Sequence, residues 1–213
     1  MIKYFARSVE GRTFDYSPLE YETLIDTDHN SCLHYIKTLD YIKDYDAVLM
    51  EDDLELCDNF QEEIEKVISQ YPNTIINFFT RPVDFYTTHY TTVFSYNQCT
   101  YFPKGILYDI QPLMLKRYNT CPGKYYGPIL HRVLKDDLGI PHLIYRPALV
   151  QHKDVESILS RCSGMRRNTL YFKDYLDDLG IDILDAVKPE NREKLQKMLD
   201  DDRIKWKNEL NNK

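Results

Sequence analysis

The sequence is poor in the features that mark membrane and secreted proteins. No stretch of the 213 residues approaches the roughly 20 consecutive apolar residues that a transmembrane helix needs, and the first residues lack the apolar segment of a signal peptide. The five cysteines are odd in number and include no C-x-x-C pair, which argues against a zinc cluster or a disulfide framework and for a reducing compartment. We therefore expect a soluble cytoplasmic protein.

A net positive charge is also lacking. The formal net charge is −7, so the protein as a whole does not attract nucleic acid, although a local basic patch is compatible with this value. Glycine is scarce, with seven residues, and the 43% hydrophobic content is that of a globular protein. A chain of this length buries about 70% of its unfolded surface in a core. The 18 tyrosines suit either sheet surfaces or a binding cleft.

Apolar periodicity predicts alternating strands and helices. The predicted elements in chain order are strands over residues 2–9 and 21–27, a helix over 31–42, a strand over 47–50, a helix from Asp58 to about Tyr71, a strand over 74–80, a hairpin or mobile loop over 81–97, strand character over 99–107, a loop over 118–127, a helix over 128–138 and a strand over 143–145. Repeated βα units predict an α/β fold whose mainly parallel sheet is flanked by helices.

Three consecutive carboxylates form the most informative motif. Glu51, Asp52 and Asp53 follow the apolar run at residues 47–50, and strand ends are where open α/β sheets bind ligands. Adjacent carboxylates repel one another, and a hard cation such as Mg²⁺ or Mn²⁺ would compensate their charge. A solvated acidic turn with no ligand is the structural alternative.

One of the six histidines stands apart from the others. A short apolar strand at residues 148–150 leads directly to His152, whose neutral imidazole is a suitable partner for a metal bound by the carboxylates. For the other five histidines, a surface or packing role is the better interpretation.

Two motifs together resemble a known family. Met50–Asp53 (MEDD) after a buried strand, and Pro147–Ser157 (PALVQHKDVES) about 100 residues later, are similar to the signatures of glycosyltransferases of the GT-A fold. The resemblance implies a Rossmann-like nucleotide-diphospho-sugar transferase fold over residues 1–159. Residues 160–213, a basic loop and a C-terminal helical extension, lie outside it.

The resemblance also implies roles for individual residues. Asp53 would bind Mn²⁺ or Mg²⁺ directly, and His152 would bind the same cation from the other side. Glu51 or Asp52 would reach the ribose or a water on the metal, and Glu51 also counts among the predicted metal ligands. Arg7, at the end of the first strand, would lie close to the nucleotide.

A loop after the histidine often covers the donor in that family, and Arg166 and Arg167 are the candidates for binding its diphosphate. No acid stands at the start of the helix near Pro128, where inverting members place a general base. Asp109, Asp136 and Asp137, with Asp84 as a further option, are therefore the candidate catalytic acids besides Asp53, and an inverting or a retaining mechanism both stay open.

The sequence thus predicts a metal-dependent glycosyltransferase, a hexosyl- or pentosyltransferase. The expected donor is a nucleotide-sugar, a UDP-sugar first, and the acceptor is a glycan, a protein or modified DNA in a bacterial or phage-infected cell. Two alternatives stay open: a metal-dependent phosphoryl or nucleotidyl transferase that uses the same carboxylates, and a non-enzymatic protein that binds carbohydrate through its tyrosines.

Overall fold

A computed structural model describes residues 1–79, 89–91, 94, 97–120 and 125–153. Four predictions fall outside this range: the basic loop with Arg166 and Arg167, the candidate acid Asp84, the C-terminal helical extension and the domain division after residue 159. The backbone of His152 is described and its side chain is not.

The described chain alternates strands and helices as the sequence predicts. The elements are β1 (Ile2–Val9), β2 (Glu22–Asp26), α1 (Ser31–Ile42), β3 (Asp46–Glu51), β4 (Leu54–Leu56), α2 (Phe60–Gln70), β5 (Ile76–Asn77), β6 (His89–Thr91), β7 (Cys99–Phe102), α3 (Leu107–Thr120), α4 (Tyr126–Arg132) with a π-helical continuation (Val133–Leu138), β8 (His142–Ile144) and β9 (Val150–His152). None of the described helices combines the length and the apolar character that crossing a membrane requires.

The central sheet is mixed and mostly parallel, which confirms the predicted α/β class. Its strand order is β2-β1-β3-β7-β5-β8-β6, in which β1 is parallel to β2 and β3, and β5 is parallel to β8. β7 and β6 run antiparallel to their neighbours. The chain places β2 on one side of β1 and then β3 on the other. The switch in strand order therefore lies between β1 and β3, and ligands of open α/β sheets usually bind at the carboxyl ends of the strands at such a position.

Strand β3 is buried on both faces, as its uninterrupted apolar run predicts. Val48 and Met50 belong to the core on the α2 side, whereas Ala47 and Leu49 face the core formed with α1, α3 and α4. This alternation follows from the two-residue period of a strand. The burial holds the carboxyl end of β3, and therefore the acidic motif, in a defined position.

Three local predictions were wrong. Helix α2 begins after Asn59, which adopts a left-handed conformation, rather than after Asp58. Leu107 starts helix α3 instead of ending a strand, because Gly105 ends the extended segment with a positive φ. The chain between the acidic motif and α2 is predicted as a loop but contains strand β4, which is too short to show a periodic pattern.

Candidate functional site

The acidic turn, defined as Glu51, Asp52 and Asp53, lies at the carboxyl end of the central sheet. Glu51 is the last residue of β3 and pairs in parallel register with Arg7 of β1. The chain then turns sharply and enters β4 at Leu54. Because β1 and β3 are parallel, their carboxyl ends bring this turn beside basic and polar side chains from the first dozen residues.

Glu51 is held by a cation and a phenol. Arg7 Nη1 donates to Glu51 Oε1 at 2.9 Å, and the Tyr126 hydroxyl donates to the same oxygen at 2.5 Å. Arg7 is 4% exposed, and its Nη2 also donates to the Ser31 carbonyl at 3.2 Å. Its guanidinium carbon lies 4.8 and 4.6 Å from the ring centroids of Tyr35 and Tyr126, which stack on each other at 4.2 Å.

The protonation states follow from this arrangement. Burial raises the pKa of Glu51 above its ordinary value, although the Arg7 charge and the Tyr126 hydrogen bond oppose that rise. Burial also works against the charge of Arg7, but Glu51 raises the Arg7 pKa above its ordinary value. Burial first, and then Glu51, raise the pKa of Tyr126, so its hydroxyl keeps its proton and donates. At 2.9 Å, Glu51 and Arg7 form a partly buried ion pair.

Asp52 is compensated as well. It is 7% exposed, and each carboxylate oxygen accepts a hydrogen bond: Oδ2 from Ser8 Oγ at 2.6 Å and Oδ1 from Arg12 Nη1 at 2.7 Å. Glu51 and Asp52 therefore need no metal cation to compensate their charge. Two arginines that lie about forty residues away in the sequence neutralise Glu51 and Asp52, because the parallel pairing of β1 and β3 brings them together.

The pairing of β4 with β9 joins the two motifs that suggested a metal site. Leu54 lies opposite His152, and the Lys153 N–H donates to the Asp53 carbonyl at 2.7 Å. The backbone of His152 is thus directly across from the residue that follows Asp53. About 100 residues separate the two segments in the sequence, and this two-stranded sheet brings them into contact.

Tyr16 holds the acidic turn through two hydrogen bonds, and nothing in the sequence predicts this role. Its hydroxyl donates to the Glu51 carbonyl and accepts from the Leu54 N–H at 3.1 Å. Lys153 Nζ lies 5.8 Å from the centroid of the Tyr16 ring. Burial raises the pKa of Tyr16, so the phenol stays protonated and can donate. Tyr16 therefore links the end of β3 to the start of β4, the strand that pairs with β9.

The donor set decides how well a cation fits. Among the side chains that the structure describes, no group of three His, Cys, Asp or Glu residues is arranged to hold a metal. Asp53 is the residue of the acidic turn that contacts the β9 segment: it is half-buried, and its carbonyl accepts from the Lys153 N–H. A carboxylate oxygen together with the imidazole of His152 is a donor set that suits Mn²⁺ better than Mg²⁺, because Mg²⁺ prefers oxygen ligands alone.

Asp109 is not brought to the acidic turn. It is exposed in the first turn of α3, and the neighbouring Tyr108 hydroxyl donates at 2.5 Å to Asp44, which precedes β3. Asp109 therefore lies near the amino end of β3, and the acidic turn lies at the carboxyl end. The six residues of β3 separate the two ends by about 17 Å at 3.3 Å per residue.

Asp136 and Asp137 are also distant from the acidic turn. Both are exposed, and Asp137 accepts two hydrogen bonds from Arg117, at 2.6 and 2.7 Å. Tyr126, which bonds to Glu51, begins the same helix. Ten residues at 1.5 Å each place Asp136 about 15 Å further along it. Asp53 is thus the one predicted catalytic acid, among the described residues, that lies at the acidic turn.

The fold and the site together define an α/β protein with a cluster of charged and polar side chains at the carboxyl ends of its central parallel strands. No family model, no curated protein and no solved structure matches this chain. The function proposed below therefore depends on the geometry of the acidic turn and its neighbours.

Proposed function

We propose that the protein is a metal-dependent glycosyltransferase with a GT-A-type fold, which transfers a sugar from a nucleotide-sugar to an acceptor. The carrying observation is the pairing of β4 with β9, which brings the chain segments of Asp53 and His152 into contact. The switch in strand order between β1 and β3 supports the proposal because nucleotides bind at such positions in open α/β sheets. We expect a UDP-sugar as donor and a cytoplasmic location in a bacterial or phage-infected cell.

Asp53 and His152 are the proposed ligands of Mn²⁺ or Mg²⁺. A divalent cation at this position supplies charge neutralisation for the diphosphate that leaves as the glycosidic bond breaks. Glu51 has a different role in the proposal: with Arg7 and Tyr126 it anchors the end of β3. Asp52, bound by two side chains, sets the conformation of the turn from which Asp53 projects.

The proposal is tested by ligand-dependent stabilisation. Melting temperatures are measured with a panel of nucleotide-sugars, with and without Mn²⁺. A donor that binds only the folded state adds about 2.7 kcal/mol at 100 times its Kd. We expect one nucleotide-sugar to raise the melting temperature, and we expect EDTA or Asp53→Asn to abolish the rise. Asp109→Asn, an exposed aspartate at the opposite end of β3, is the matched control and should keep it.

Two results would overturn the proposal in favour of the alternatives. Stabilisation and turnover with nucleoside triphosphates, but with no nucleotide-sugar, would indicate phosphoryl or nucleotidyl transfer. Sugar binding that is indifferent to EDTA, without any donor binding, would indicate a carbohydrate-binding protein.

A further inference from the structure

A cleft of about 650 Å³ opens next to the acidic turn. It lies between the segment Tyr16–Leu19 and the chain that runs from the end of β4 into α2, and its volume is in the range of about 300–1,000 Å³ typical of small-molecule sites. Tyr16, Leu19 and Phe60 contribute buried apolar surface to its wall. Nothing in the proposed donor site uses this cleft.

The polar residues of the cleft suit a neutral, hydroxyl-rich ligand. They comprise three carboxylates, two carboxamides and one hydroxyl, namely Asp58, Glu62, Glu65, Asn59, Gln61 and Ser17. Such groups donate and accept hydrogen bonds with sugar hydroxyls. No lysine or arginine is present among the described residues of the lining, so a diphosphate or a nucleic-acid backbone would meet only negative charge.

Two contacts connect the cleft to the acidic turn. The Tyr16 side chain lines the cleft, while its hydroxyl donates to the Glu51 carbonyl. Leu56, at the end of β4, also lines the cleft, and it follows Asp53 by three residues, or about 10 Å along an extended chain. A ligand of more than one sugar ring that occupies the cleft would therefore place one end near Asp53.

We propose that this cleft is the acceptor site and that the acceptor is a neutral oligosaccharide. The assignment rests on the proposed function, and it selects the glycan from the three acceptor classes that the sequence leaves open. The carboxylates that line the cleft would repel the anionic donor and would not repel a neutral acceptor. The anionic donor and the neutral acceptor thus approach Asp53 from different sides.

Acceptor binding is measured directly, without donor and in EDTA, by saturation-transfer NMR with a panel of neutral oligosaccharides built from glucose, galactose and mannose. Gln61→Trp fills the cleft from helix α2. Gln70→Trp makes the same change at an exposed position of the same helix outside the cleft. We expect one neutral oligosaccharide to bind, Gln61→Trp to weaken its binding at least tenfold, and Gln70→Trp to leave it unchanged.

The possible failures are distinguishable. Equal weakening by both variants, absence of oligosaccharide binding, or a preference for duplex DNA or a lysine-rich peptide would overturn the cleft assignment. Manganese-dependent donor stabilisation should persist in Gln61→Trp, so donor binding without glycan binding overturns this inference alone. Glycan binding without any donor binding would overturn the transfer reaction, and the acceptor role with it.

Discussion

Replacing Glu51 by glutamine tests whether the first carboxylate of the acidic turn serves stability rather than metal binding. The substitution keeps the size of the side chain and removes the charge that neutralises Arg7. Breaking a buried ion pair from one side costs roughly 3–5 kcal/mol, because the remaining charge stays buried. The Arg7 side chain is 5% exposed and that of Glu51 is 22% exposed, so we expect the lower end, a loss of about 3 kcal/mol.

The assay is urea unfolding at pH 7 followed by far-UV circular dichroism. Glu55→Gln is the matched control, since Glu55 is exposed on β4 four residues away and should change the free energy of unfolding by less than about 0.5 kcal/mol. We expect Glu51→Gln to lower the urea midpoint with little change in slope. At a temperature where the variant stays folded, donor stabilisation by Mn²⁺ should survive.

Two outcomes would refute this reasoning about Glu51. A loss below about 1 kcal/mol would show that Arg7 does not depend on the Glu51 charge. Normal stability combined with loss of the manganese effect would instead return Glu51 to the metal-ligand role that the sequence predicts. Asp53→Asn, by contrast, should abolish the manganese effect.

Three further predictions follow from buried and exposed polar groups. Burial lowers the pKa of His34, so this histidine is protonated more readily in the unfolded chain as the pH falls below about 6.5. The free energy of unfolding should therefore decline from pH 7 to pH 5. His34→Gln should reduce that decline, measured as urea midpoints. Asp137→Asn breaks an exposed ion pair with Arg117 and should lower the free energy of unfolding by less than about 1 kcal/mol. Sugar transfer should continue in this variant, and a loss of turnover would instead favour a catalytic role for Asp137. Tyr126→Phe removes a hydrogen bond to a carboxylate and should cost about 1.5–3 kcal/mol in urea unfolding, and the exposed Tyr125→Phe should cost almost nothing.

Local sequence signals account for the elements near the amino terminus. Helix α1 spans Ser31–Ile42 as predicted, because its apolar residues recur at helical spacing and the Asn30 side chain accepts from the Leu33 N–H at 3.0 Å. Strand β1 spans Ile2–Val9, also as predicted. Helix α3 was missed because Pro112 interrupts its pattern and its buried residues are few.

By itself, the sequence determined the α/β class, the burial of β3 and the position of the acidic turn at the end of β3, because apolar run length and periodicity are local properties. The resemblance singled out the segments of Asp53 and His152, and only the structure shows that these segments pair as strands. The tertiary structure alone decided which carboxylates are neutralised and that β4 pairs with β9, since these contacts join residues 40 to 100 positions apart. Sequence periodicity predicts single turns, helices and strands. The residues that pair with a given charged side chain depend on which strands the complete fold places side by side.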